Sequence, residues 1–211
     1  PISYMNIESI KQIISKRFST LYLGESEISL FGDKITIMAS LLKNMIRNCY
    51  TLKFNKSGNM VSHYPGSVCL NKNLSYTFVN QNKHQFKNLF DFSKNIFGNI
   101  DSAQKLVENW MIHSNCAVGN ILDQTIYRSN DTDINILNGL DDDSKKYFYD
   151  SSSYHFSNNS RHNILEKTNY LHFTSPIRRL VDNFIHFQLT YNRMLLDQED
   201  LLLSLSKINL L

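Results

Sequence analysis

Late in the chain, Ser175-Pro176-Ile177-Arg178-Arg179 opens a stretch in which Ile177, Leu180, Val181, Phe184 and Gln188 or Leu189 recur at helical spacing. This pattern predicts an α-helix from Pro176 to about Leu196, with one apolar side committed to a core. Ser175 reads as the N-cap and Pro176 as the first helical residue, where a missing N–H costs nothing and a fixed φ suits the helix. Such a start puts the guanidinium groups of Arg178 and Arg179 in the first turn. Cations at the positive end of a helix macrodipole are disfavoured by about a few tenths of a kcal/mol, so the pair there points to a bound anion. A phosphodiester would meet free backbone N–H groups, the dipole and a bidentate fork together. The plain alternative is two solvated or ion-paired arginines. Arg178, Asp182 and His186 share one stripe, so Asp182 is expected to hold Arg178 from one turn behind and His186 to extend that chain.

Other segments read less sharply. Asn6 is placed to cap a helix carrying Ile7, Ile10, Ile13 and Ile14 and ending near Arg17, with Tyr22 in the connecting segment beyond it. Residues 49–54 alternate in strand fashion, Lys56-Ser57-Gly58-Asn59 supplies a turn, and Met60 to Tyr64 return, which predicts a hairpin. A longer helix is expected from Asp101, with Leu106, Trp110, Ala117 and Ile121 as its apolar stripe and Glu108 off that stripe, facing a cleft. The polar stretch from Ser129 to Ser160 reads as loop with at most short helices.

Composition sets bounds. A chain of 211 residues, 42% hydrophobic, buries one sizeable core and is expected to be a single domain. A net charge of +3 permits an acidic partner without demanding one. Cys49, Cys69 and Cys116 are odd in number and widely spaced, which argues for small buried thiols in a reducing compartment and against a disulfide frame or zinc site. Apolar runs such as Ile35 to Leu42 are too short to span a bilayer and no leader precedes them, so a soluble, intracellular protein is expected, with no membrane partner.

The string His172-Phe173-Thr174-Ser175-Pro176-Ile177-Arg178-Arg179, followed by Asp182 and His186, resembles the signature of the RNB family. These are the ribonuclease II and exosome-type exoribonucleases, which hydrolyse RNA from its 3′ end. Other segments fall in the family's order. Lys16 to Leu23 resembles "R-x-S-x-Y-L", Tyr50 to Tyr76 resembles its hairpin and "L-S-Y" segment, and Val107 to Val118 is similar to "I-E-E-F-M-x-x-A-N-x-x-V-A". The resemblance implies an α+β fold, an RNB-type mixed sheet with surrounding helices, incomplete at both ends. Residues 1–211 would be the middle and late part of such a domain.

What the resemblance implies for single residues follows by position. Arg178 matches the catalytic arginine that grips the scissile phosphodiester and neutralises charge developing on the phosphoryl oxygens. Tyr22 matches the tyrosine that stacks on the 3′-terminal nucleotide; read alone it is a half-buried aromatic. Glu108 matches the acid that contacts the terminal ribose, against a plain reading as a solvated helix carboxylate. Arg179 is expected to face the RNA backbone or solvent, and Asp182 and His186 to support from behind. Single-stranded RNA is the implied partner and Mg²⁺ the implied cofactor. Its ligands are expected outside this chain, because the family's D-x-D-D-A segment lies on the N-terminal side of the Tyr22 region, and a further family acid lies beyond Leu211. Asp141-Asp142-Asp143 stands in the wrong order to replace them and reads as a solvated loop or helix start.

This chain departs from the pattern in places. Leu180 replaces the usual tyrosine, Phe187 replaces an arginine, and the span from Tyr76 to Glu108 is shorter. Two functions from different classes follow: a Mg²⁺-dependent 3′→5′ exoribonuclease of which this chain is part, or a divergent RNB-like module that holds RNA or protein without cleaving. A third reading, an unrelated all-helical interaction domain, requires the signature to be chance.

Overall fold

The computed structural model describes residues 7–14, 17–23, 26–141, 144 and 152–210. Among them the chain runs through α1 (Ile7–Ile14), β1 (Leu21–Leu23), β2 (Ser26–Ile28), α2 (Asp33–Ala39), β3 (Ile46–Phe54) and β4 (Met60–Cys69). Next come α3 (Tyr76–Gln81), a 3-10 turn (Lys83–Phe86), α4 (Lys87–Phe97) and α5 (Ala103–Gly119). After these follow β5 (Thr125–Ser129), α6 (Ile134–Asn138), β6 (Ser153–Ser157), β7 (Arg161–His162), β8 (Lys167–Thr168), α7 (Leu180–Tyr191) and α8 (Gln198–Ile208). The fold is α+β, which removes the all-helical reading. The described strands form four separate antiparallel pairs, β1–β2, β3–β4, β5–β6 and β7–β8, where one mixed sheet was expected.

The hairpin forms where its turn chemistry places it. The Asn55 side chain accepts from the N–H of Ser57 and of Asn59, both at 3.0 Å, and Gly58 supplies the positive φ of 81°. Its strands extend well beyond the expected ends, to Ile46 and Cys69. The tip then docks on the helices: a Cβ on Gly58 would lie 2.8 Å from Ile96, and His113 of α5 bonds the Gly58 carbonyl at 2.6 Å. Helix α5 starts at a Ser102 cap whose side chain accepts from Lys105 N–H. Its Trp110 lies among Phe54, Phe92, Phe97 and His113, with the indole N–H given to the buried Ser93 hydroxyl at 2.8 Å. Leu106 is buried as expected; Ile121 lies past the helix end and is exposed.

The main core gathers on α7. Leu180, Val181, Phe184, Ile185 and Phe187 of that helix pack with Val118 of α5, Ile126 and Tyr127 of β5, Leu171, and Leu201 and Leu205 of α8. Helix α7 is therefore covered on most sides, which widens the single apolar stripe read from the sequence. The stretch from Ser129 to Ser160, expected to be loop, contributes β6, which pairs with β5 just before it from Thr125↔Ser157 to Ser129↔Ser153; Tyr127 of β5 is fully buried. Cys49 and Cys116 are half-buried, but Cys69 is exposed; all three are free thiols. The Asn6 cap, Lys16, Asp142 and Asp143 lie outside the described residues.

Candidate RNA-binding cleft

Helix α7 begins at Leu180, four residues later than expected, and the reason is local bonding. The carboxylate of Asp182 accepts from Ser175 N–H at 2.7 Å, so the serine that reads as a cap is itself held by the helix. Pro176 to Arg178 form a turn, with Arg178 N–H and Arg179 N–H both directed at Ser175 O at 3.2 Å. Residues 178–180 then pair with a distant segment: Thr20 N–H donates to Arg178 O, and Leu180 N–H to Phe18 O, both at 2.9 Å. The helix ends at Tyr191, where Asn192 takes the left-handed conformation (φ 51°), so it stops short of Leu196.

The two arginines separate. Arg179 turns inward and grips Asp182 with Nε at 2.8 Å and Nη2 at 3.0 Å; its side chain is 19% exposed and that of Asp182 is 0% exposed. This replaces the expected Arg178–Asp182 pair, and Arg179 is largely withdrawn from solvent and does not line the cleft described below. The anion at the helix mouth is thus supplied by the helix's own Asp182. Arg178 stays exposed and its guanidinium has no hydrogen-bond or ion-pair partner among the described residues.

Arg178 lines a cleft of about 900 Å³. It is lined by the loop from Phe173 to Arg178, by Asn48, Cys49 and Tyr50 of β3 with Pro65 and Gly66 of β4, and by Thr190 and Tyr191 of α7. Tyr22 also lines it. Placed on β1 and not in a connecting loop, it pairs with Glu27 and leaves its ring 61% exposed. The Thr20–Arg178 bond joins the segment that leads into β1 to the turn that carries Arg178. The floor is aromatic: Phe173 stacks on His186 with centroids 4.4 Å apart, and Tyr50 meets both edge-on. Tyr50 and Phe173 fall inside segments that carry the family resemblance, but nothing in the sequence assigns either a place in the cleft.

His186 does not extend an Arg–Asp chain. Its Nε2–H donates to Phe173 O at 2.9 Å, and burial pushes its pKa down to about 4. His162 also falls to about 4, through burial and then the nearby Arg128, and His172 lies well below the usual value through burial, with Arg179 and Arg128 adding to it. These rings stay neutral in the folded protein while the unfolded chain takes up protons near pH 6.5. Folding stability is therefore complete above that value and is lost as pH falls toward 4. Thermal melts from pH 7.5 to 4.5 are expected to drop progressively below about pH 6.5; a flat profile down to the carboxylate range would contradict burial of these rings.

Glu108 is not brought to the cleft. It sits exposed on α5 and pairs with Lys105 at 3.0 Å. From the same helix, Asn115 does the work at this loop: fully buried, it accepts from Phe173 N–H at 3.1 Å. Asp141 accepts from the N–H and hydroxyl of Ser144. Among the described residues no carboxylate lines the cleft and no cluster of three or more His, Cys, Asp or Glu side chains is arranged to hold a metal, so the described donors do not fit Mg²⁺. Nor, among the described residues, is any helix long and apolar enough to cross a membrane.

Comparison with known proteins agrees with the geometry. Residues 143–193, which include the whole Phe173–Arg178 loop, match the RNB domain. No curated protein matches the sequence. The structure is similar to Mycoplasma genitalium RNase R in complex with ribose-methylated single-stranded RNA, with TM-score 0.68 and 20% identity over 98% of this chain and 48% of that one. The same protein in complex with double-stranded RNA gives TM-score 0.69 and 18% identity over 98% and 54%. Yeast Ssd1, described as a pseudonuclease, gives TM-score 0.67 and 11% identity over 95% and 36%. The chain thus spans about half the length of the RNase R chains it matches. Residues 143–193 thus match the RNB domain, and they sit on a chain whose fold is similar to that of RNase R over nearly all of its length.

Proposed function

We propose that the cleft receives the 3′ end of a single-stranded RNA, and that residues 1–211 are the middle and late part of an RNB domain in a 3′→5′ hydrolytic exoribonuclease of the ribonuclease II type. The observation that carries this reading is the pairing of an exposed tyrosine ring and an unpartnered guanidinium on one cleft, their segments joined by the Thr20–Arg178 bond. Tyr22 stacks on the terminal base, a contact worth about 1–3 kcal/mol and indifferent to base identity. Arg178 meets the phosphodiester and neutralises the charge that grows on its oxygens. Asp182 keeps Arg179 out of that role. Mg²⁺, on which hydrolysis in this family depends, is held by residues outside this chain.

A second reading, an RNB-like module that binds RNA without cutting it, draws support from the likeness to the pseudonuclease Ssd1. One assay separates the two. The intact parent polypeptide is incubated with a 5′-labelled single strand in Mg²⁺ and in EDTA. Stepwise shortening from the 3′ end with Mg²⁺ and none with EDTA is expected. Binding without shortening establishes the second reading, and absence of binding overturns both.

A further inference from the structure

We propose that Asn183 is the positioning residue for Arg178; this rests on the RNA reading of the cleft. The carbonyls on either side of Arg178, those of Pro176 and Arg179, both accept from the one Nδ2 of Asn183, at 2.6 Å and 2.9 Å. The second is the familiar back-bond to a residue one helical turn earlier. The first reaches past the helix start and fastens the turn that carries Arg178. Swapping the amide would set its oxygen against two carbonyl oxygens, so the orientation is fixed.

The choice of asparagine here is poor for stability alone. Asn183 is 1% exposed and its Oδ1 has no hydrogen-bond partner. A buried acceptor left unpaired is costly, and an apolar residue of the same shape avoids that cost. One turn away on the same side of the helix, Leu180 and Phe187 are apolar and buried. Leucine would fill the space but would hold neither carbonyl. What the amide supplies is a fixed backbone on both sides of Arg178, and hence a fixed origin for a long side chain that has no partner of its own to steady it.

The test is a cycle of Asn183→Leu, Arg178→Ala and the double variant in the intact chain, with a single-stranded RNA oligonucleotide titrated over a range of KCl concentrations. Each phosphate contact on a single strand contributes about 0.7 to the slope of log affinity against log salt. Arg178→Ala is expected to lower that slope by about 0.7. Asn183→Leu should fold, melt near the parent temperature, and lose a similar share of slope and affinity, with no further loss in the double variant. A purely structural defect lowers affinity by one factor at every salt concentration and leaves the slope alone. An unchanged slope, or losses that multiply in the double variant, overturns the proposal. So does failure of both Asn183→Leu and Asn183→Ala to fold. If Arg178→Ala itself changes neither slope nor affinity, it is the RNA reading of the cleft that fails.

Discussion

On the exoribonuclease reading, replacing Arg178 by alanine in the intact parent polypeptide is expected to lower turnover by about 10²–10³-fold while RNA affinity falls by no more than about 10-fold. The asymmetry comes from when the contact matters. In the ground state Arg178 is one of several contacts along a strand that also stacks on Tyr22, so its loss is diluted. At the moment of hydrolysis the phosphoryl oxygens gain charge, and Arg178 is, among the described residues, the cationic side chain lining the cleft. Arg178→Lys keeps the charge but loses the planar fork, so an intermediate rate is expected. Steady-state rates and equilibrium binding on the same oligonucleotide check this, and equal losses in both quantities would remove the transition-state role.

Asp182→Ala is expected to be the most destabilising single change near the cleft, by about 3–5 kcal/mol. The carboxylate is fully buried and is the ion-pair partner of the nearly buried Arg179. Removing it strands a cation in the interior and also leaves Ser175 N–H without its acceptor. For a domain of this size that loss corresponds to a melting temperature lower by about 10 °C. A double change to Asp182→Leu with Arg179→Met, which removes both charges, is expected to recover much of it, because the cost lies in the unpaired charge. A melting temperature within a degree or two of the parent for Asp182→Ala would mean that the pair does not hold the interior.

These two residues also mark where sequence reasoning stops. Ser175-Pro176 has the grammar of a helix start, and that grammar concerns only neighbours in the chain. The actual start is decided by Asp182 capturing Ser175 N–H and by residues 178–180 pairing with Phe18 and Thr20, a contact no local pattern encodes. The exchange of partners, Arg179 for Arg178 on Asp182, follows directly: a chain that is still in a turn at Arg178 presents its side chains differently from a helix. Features whose causes are local were legible. Asn55 to Asn59 close the β3–β4 hairpin with their own side chains, and Ser102 starts α5. Strands β5 and β6 were hidden because polar residues separate them and their pairing is non-local. Tyr22 was singled out by resemblance alone, since nothing in its neighbourhood distinguishes it from any exposed aromatic. Asn183 was not legible, because it lies off the stripe of Ile177, Leu180, Val181 and Phe184 and is buried only because α7 is covered on most sides.

The most direct measurement uses a single-stranded oligonucleotide ending in a 3′-terminal 4-thiouridine, photocrosslinked to the protein, with the modified peptide identified by mass spectrometry. The crosslink is predicted to fall on the peptide containing Tyr22 or on the segment from Phe173 to Arg178, and to disappear when an unlabelled strand competes. A crosslink confined to surfaces away from the cleft, such as the lysines of α4, would contradict the account.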